Sequence, residues 1–156
     1  MEYSTLDKLG VRVSRLGFGC MRFPLTAEGK IDEPRAAAML DTAYKAGVTY
    51  YDTAYFYHQH TGEAFLGRAM KRYPRDTFYL ATKMPMSIVE SLDHAKEIFE
   101  GQLAALQTDY VDFLPASRRQ RRALEAGAGD GHCRFPAGDA ESGAHPPLRF
   151  LVPRFV

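Results

Sequence analysis

The chain has 156 residues and a formal net charge of +1; 46% of it is hydrophobic, 12% aromatic and 25% charged. That is the make-up of a soluble globular protein and not of a disordered one, but the length falls short of the roughly 200 residues a complete eight-stranded α/β barrel needs. Near-zero charge gives no global pull toward nucleic acid or an anionic membrane, residues 1–8 lack the cationic start and apolar run of a secretory signal, and no apolar stretch approaches the roughly 20 residues of a membrane span.

In chain order, Arg15 to Gly19 reads as a short buried strand preceded by a hairpin through Gly10 and Val11–Val13. Asp32 can cap a helix that tolerates Pro34 in its first turn, carries Ala36, Met39, Leu40 and Ala43 on one face, and ends at Gly47. Val48 to Tyr51 forms a second strand ending at Asp52. A second helix runs from Gly62 to Lys71 with Phe65, Leu66, Ala69 and Met70 on one side. Thr77 to Thr82 is a third strand ending at Lys83. Leu92, Ala95, Phe99, Leu103 and Leu106 recur at helical spacing, and Tyr110 to Phe113 opens a fourth strand. The order βαβαβαβ predicts parallel strands joined by right-handed crossovers.

The composition breaks near Phe113. Through that residue the chain carries 13 Lys and Arg against 15 Asp and Glu; beyond it come 7 Arg, no Lys and 4 acidic residues. All 9 tyrosines precede the break, whereas the last 43 residues lack Ile, Met and Thr and hold 5 of the 9 prolines. A packed α/β segment would rarely lose Ile and Tyr together. Residues 1–113 and 114–156 are therefore expected to form a half barrel and an irregular tail.

In parallel α/β folds, functional groups gather at the carboxyl ends of strands. Asp52 and Lys83 end adjacent strands, which lie about 4.8 Å apart, so an ion pair can form there. Tyr57 follows five residues after Asp52, on the loop leaving the same strand end. An ammonium beside a phenol favours phenolate and makes the hydroxyl a usable general acid, with the carboxylate holding the ammonium in place. Such a donor suits reduction of a carbonyl as hydride arrives from a nicotinamide. Spacing alone leaves a bland alternative open: a solvated Asp–Lys pair beside tyrosines (Tyr50, Tyr51, Tyr55, Tyr57) that serve packing. Cys20 and Cys133 make neither a disulfide framework nor a metal cluster, so a reducing cytoplasm is the expected compartment.

Leu16 to Met21, Tyr51 to Tyr57, Gly62 to Gly67 and Ala81 to Lys83 resemble, in order and spacing, the motifs of the aldo-keto reductase family over roughly residues 3–113. The resemblance implies a (β/α)8 TIM barrel of which this is the N-terminal half. It also implies NADPH as cofactor and a small aldehyde or ketone as substrate. Carried across residue by residue, Asp52, Tyr57 and Lys83 match three of four catalytic positions, with Tyr57 as proton donor. Gly19, Cys20 and Met21 match the loop that approaches the nicotinamide, and Asp52 lies near it.

The fourth position in the family is a histidine at the end of strand four, where this chain reads Phe113, Leu114, Pro115, Ala116, Ser117. His58 and His60 are read as surface residues of another loop, and His132 and His145 lie in the tail. Proline codons are CCN and alanine codons GCN, so a one-base shift at Pro115 permits Leu-His after Leu114. The same shift from His145 through Pro153 permits a string similar to the family's fifth-strand segment. The tail is therefore read as out of frame. The chain is expected to be truncated, marginally stable, prone to associate through an open strand edge, and close to inactive. Two alternatives stand beside this: a self-associating half barrel with weak nucleotide binding, and a binding module using the cluster Arg118, Arg119, Arg121 and Arg122, which lacks interleaved aromatics.

Overall fold

The computed structural model describes residues 1–7 and 9–115; the tail, with its arginine cluster, His132, His145 and Cys133, lies outside the described residues. A hairpin opens the chain: β1 (Tyr3–Leu6) pairs antiparallel with β2 (Val11–Ser14), Tyr3 facing Ser14 and Leu6 facing Val11. Behind it, β3 (Phe18–Gly19), β4 (Tyr50–Asp52) and β5 (Tyr79–Ala81) form a parallel sheet in chain order. Helices α1 (Glu33–Lys45) and α2 (Gly62–Met70) form the crossovers, and α3 (Leu92–Leu106) leads toward a fourth strand. This is the opening of a (β/α)8 barrel, and among the described residues the sheet is not closed.

Local chemistry sets these boundaries. The Asp32 side chain accepts a hydrogen bond from the Arg35 amide, and Pro34 sits in the first turn, where its missing N–H costs nothing. The helix stops at Ala46, and Gly47 follows with φ +86°, a left-handed conformation that glycine adopts without strain. Ser91 caps α3 by accepting from the His94 amide.

Residues alternate between the two faces of the sheet, and the register sorts them. Phe18 pairs with Tyr51, and Tyr51 with Leu80, on the side covered by the helices. There Tyr51 and Leu80 join Leu40, Phe65, Leu66, Met70 and Phe78 in one core. One step along, Gly19, Asp52, Ala81 and Phe113 form a row on the opposite side. α2 approaches α3 so closely that a Cβ on Gly67 would lie 2.6 Å from the backbone of Ala105 and Leu106, so only glycine fits there.

Four expectations need correction. The buried strand read at Arg15–Gly19 shortens to Phe18–Gly19, because only these residues find partners on β4, and Leu16 is 62% exposed. Met39, read as part of the buried face of α1, is 43% exposed, because that stripe is narrower and rests on Ala36 and Leu40. Thr77 does not belong to a strand: Arg75–Thr77 is a 3-10 turn, and extended pairing begins only at Tyr79. Leu92 lies on the exposed side of α3, whose buried positions include Ile98 and Gln102 instead.

The fourth strand runs parallel beside β5: Phe113 bridges Ala81, the Asp112 and Phe113 amides donate to the Leu80 carbonyl, the Thr82 amide donates to the Phe113 carbonyl, and a side chain adds to these. One carboxylate oxygen of Asp112 accepts from the Leu80 amide at 2.8 Å and from Arg75 Nη2 at 2.6 Å. Arg75 also donates to the carbonyls of Phe78 and Tyr110 and lies 4.0 Å over the Tyr110 ring. Side-chain bonding thus adds to the backbone pairing.

Candidate active site

At the carboxyl end of the sheet, Lys83 Nζ lies 2.7 and 2.6 Å from the two oxygens of Asp52 and 2.8 Å from the Thr53 carbonyl oxygen. The register explains the meeting. Asp52 pairs with Ala81, so Lys83, two residues further along, rises on the same face of the sheet. The pair is partly buried, with Lys83 29% and Asp52 30% exposed. At these distances a shielded ammonium and carboxylate attract strongly, and all three close acceptors are satisfied by one donor group. Tyr57 completes the group: Lys83 Nζ stands 5.0 Å from the centroid of its ring. The three residues proposed on spacing, Asp52, Tyr57 and Lys83, are thus brought to one mouth.

The loop carrying Tyr57 is held in an uncommon shape. His58, Gln59 and His60 adopt φ of 51°, 54° and 67°, three successive left-handed residues without a glycine among them. Such positions cost about 1–2 kcal/mol each and persist only where the surroundings impose them. Here His58 supplies the restraint. Its Nε2 lies 3.0 Å from the Cys20 carbonyl oxygen and 3.4 Å from the Phe23 amide, and its ring stacks on Phe23 at 5.5 Å. The reading of His58 as a surface residue is therefore wrong: it is half-buried and ties the Tyr57 loop to the turn after β3. Proximity in sequence could not show this, because the partners lie some 35 positions away. His60 is exposed, its ring against Tyr55 and Phe56.

The residues expected near a nicotinamide divide. Gly19 is open on its sheet face, where a Cβ would meet nothing within 4 Å, and Met21 is 57% exposed. Cys20 has no exposed surface; burial, reinforced by the Asp52 charge, pushes its thiol well above the ordinary range. Its side chain therefore faces the core, and its carbonyl oxygen is occupied by His58.

Three buried residues stand behind Lys83 that the strand-end argument overlooked. Glu63, 5% exposed in the first turn of α2, accepts hydrogen bonds from Thr82 Oγ1 at 2.5 Å and from Gln102 Nε2 at 2.8 Å. Gln102 Nε2 also lies 3.1 Å from Thr82 Oγ1 and 3.2 Å from the Lys83 carbonyl oxygen. Burial raises the Glu63 carboxyl above its ordinary range, against the lowering effect of both donors.

The profile of the aldo/keto reductase family matches residues 15–118. Norsolorinic acid reductase stcV of Emericella nidulans is 38% identical over 122 residues, covering 67% of this chain and 32% of the relative. Aldo-keto reductase YhdN of Bacillus subtilis is 33% identical over 120 residues, covering 72% and 36%. Among solved structures, the holo form of aldo-keto reductase AKR11C1 from Bacillus halodurans superposes with a TM-score of 0.62 at 34% identity, over 74% of this chain and 40% of that one. The chain belongs to the aldo/keto reductase family of oxidoreductases. It spans about a third of the length of these curated relatives.

Proposed function

We propose that residues 1–113 are the N-terminal half of an NADPH-dependent carbonyl reductase, acting on a small aldehyde or ketone in the cytoplasm. Tyr57 is the proton donor, Lys83 its charged partner and Asp52 the anchor of Lys83. One observation carries the reading: a single ammonium bonds both Asp52 oxygens and the Thr53 carbonyl while standing 5.0 Å over the Tyr57 ring. The open face of Gly19 beside exposed Met21 leaves room for a flat ring against the strand end, with Asp52 at its side. Gly19, Met21 and the backbone at Cys20 would hold that end of the cofactor. When bound, a reduced nicotinamide supplies the hydride. As the carbonyl carbon gains it, the C=O electron pair moves onto oxygen and the Tyr57 hydroxyl gives that oxygen its proton, yielding the alcohol. The Lys83 charge offsets the negative charge left on the Tyr57 ring, and Asp52 keeps Lys83 from swinging into solvent.

The proposal extends to the tail. Residues 114–156 are read out of frame, on the strength of the composition break and the missing Leu-His after Leu114, and the chain as it stands is truncated and close to inactive. With the frame restored after Phe113, the protein oxidises NADPH in the presence of an aldehyde, and Tyr57→Phe lowers that turnover about a hundredfold or more. An undiminished Tyr57→Phe rate overturns the proton-donor assignment; ordinary turnover by the present chain overturns the out-of-frame reading of its tail.

A second reading has its own support. Among the described residues, β3 leaves one edge unpaired, and Met1, Leu16, Phe18, Met39, Ala43 and Val48 line an apolar groove beside it. Two copies meeting edge to edge would cover both, giving a self-associated half barrel with weak nucleotide binding. Sedimentation as a discrete dimer supports this; a monomer at every concentration counts against it.

A further inference from the structure

We infer that Glu63, Thr82 and Gln102 are positioning residues for Lys83: a buried polar clamp between α2 and α3 that fixes where the strand end delivers the ammonium. The inference rests on the proposed role of Lys83 for its functional meaning, but its geometry stands independently of that role.

Each member is almost wholly enclosed, Thr82 at 0%, Gln102 at 1% and Glu63 at 5% exposure. A buried carboxylate with no cation bonded to it among the described residues is costly, and apolar side chains of similar volume would pack there at least as stably. The glutamine adds to that cost, since its Oε1 has no hydrogen-bond partner among the described residues. Its orientation is nevertheless determined, because turning the amide over would set its oxygen against the Glu63 carboxylate and the Lys83 carbonyl. What this arrangement accomplishes is visible in its end point. Gln102 reaches the Lys83 backbone oxygen, and Thr82, next in sequence, is gripped through its hydroxyl by Glu63. The strand residues just before the ammonium are thus held from two helices at once. On its other side, among the described residues, Lys83 is held through its own Nζ, by Asp52 and Thr53.

The test reads the ammonium directly in the 156-residue chain, with no need for turnover. Under trace acetylation by acetic anhydride, mass spectrometry gives the reactivity of Lys83 relative to the surface lysines Lys45 and Lys71. Gln102→Leu and Thr82→Val are expected to raise the relative reactivity of Lys83 roughly fivefold, with the Lys45 to Lys71 ratio and the far-ultraviolet circular dichroism unchanged. Thr82→Ser, which keeps the hydroxyl, should restore the wild-type value. Should the first pair not fold, Gln102→Met and Thr82→Ala carry the same comparison. Folded variants with unchanged Lys83 reactivity overturn the inference. So does unfolding of all four with every lysine labelled alike, since the cluster would then be a folding element and not a positioning one. A positive labelling result beside an inactive frame-restored protein would leave the clamp standing and remove the reductase reading alone.

Discussion

Glu63 shows how one side chain can lower stability where it serves geometry. Its folded pKa lies above the ordinary value of 4.5 because burial penalises the charged form. Between that value and the raised one the folded state holds a proton that the unfolded chain has released, so stability from this group is greatest in acid. It is lost as pH rises through the folded pKa. Glu63→Gln is therefore expected to flatten the fall in stability above about pH 4.5, as read from urea denaturation across a pH series. Gln102 does not stand out in the sequence, and Glu63 does so only as one residue of the Gly62 to Gly67 motif, with no sign of its partners. A glutamate in a helix's first turn reads as a dipole partner, and a lone glutamine in an apolar stripe reads as an interruption. Asp52, Tyr57 and Lys83 were legible because they end strands and follow a strand loop, positions where parallel folds expose chemistry. The half-buried His58 was not, since its partners at Cys20 and Phe23 arrive only through folding.

At the level of elements, hydrophobic spacing located the three helices, and the Asp32 cap with Pro34 and Gly47 set the bounds of the first. The cap at Asp32 is expected to contribute about 1 kcal/mol, so Asp32→Ala should lower the denaturation midpoint modestly without changing the slope. A larger loss belongs to the fourth strand. Asp112, 8% exposed, joins Arg75 to the Leu80 amide, and Asp112→Ala would take the acceptor from that amide and the carboxylate from Arg75, which keeps the Phe78 and Tyr110 carbonyls. A cost of about 3 kcal/mol is expected, with hydrogen exchange at residues 110–113 rising more than at β4. Strand ends were the weaker part of the reading. Apolar runs such as Thr77–Thr82 show where a strand can lie, but pairing partners decide how much of the run is extended, and here only Tyr79–Ala81 is.

At the scale of the molecule, the edge of β3 left open among the described residues and the apolar groove beside it are where copies of the chain would meet in the self-associated reading. Leu16 is 62% exposed at that groove, so Leu16→Lys should change monomer stability by no more than about 0.5 kcal/mol. If copies of the chain meet there, the same substitution shifts sedimentation toward the monomer, and an unchanged profile places any association elsewhere. Residue order alone pointed to the parallel βα plan, the Asp32 cap, the strand-end trio and the change in composition after Phe113, because periodicity, capping and composition are local properties. Tertiary structure decided the rest: the ion pair's register, the His58 tether, and the buried clamp behind Lys83. Each depends on residues about twenty to forty positions apart, and only packing of helix on sheet brings such residues within hydrogen-bond reach.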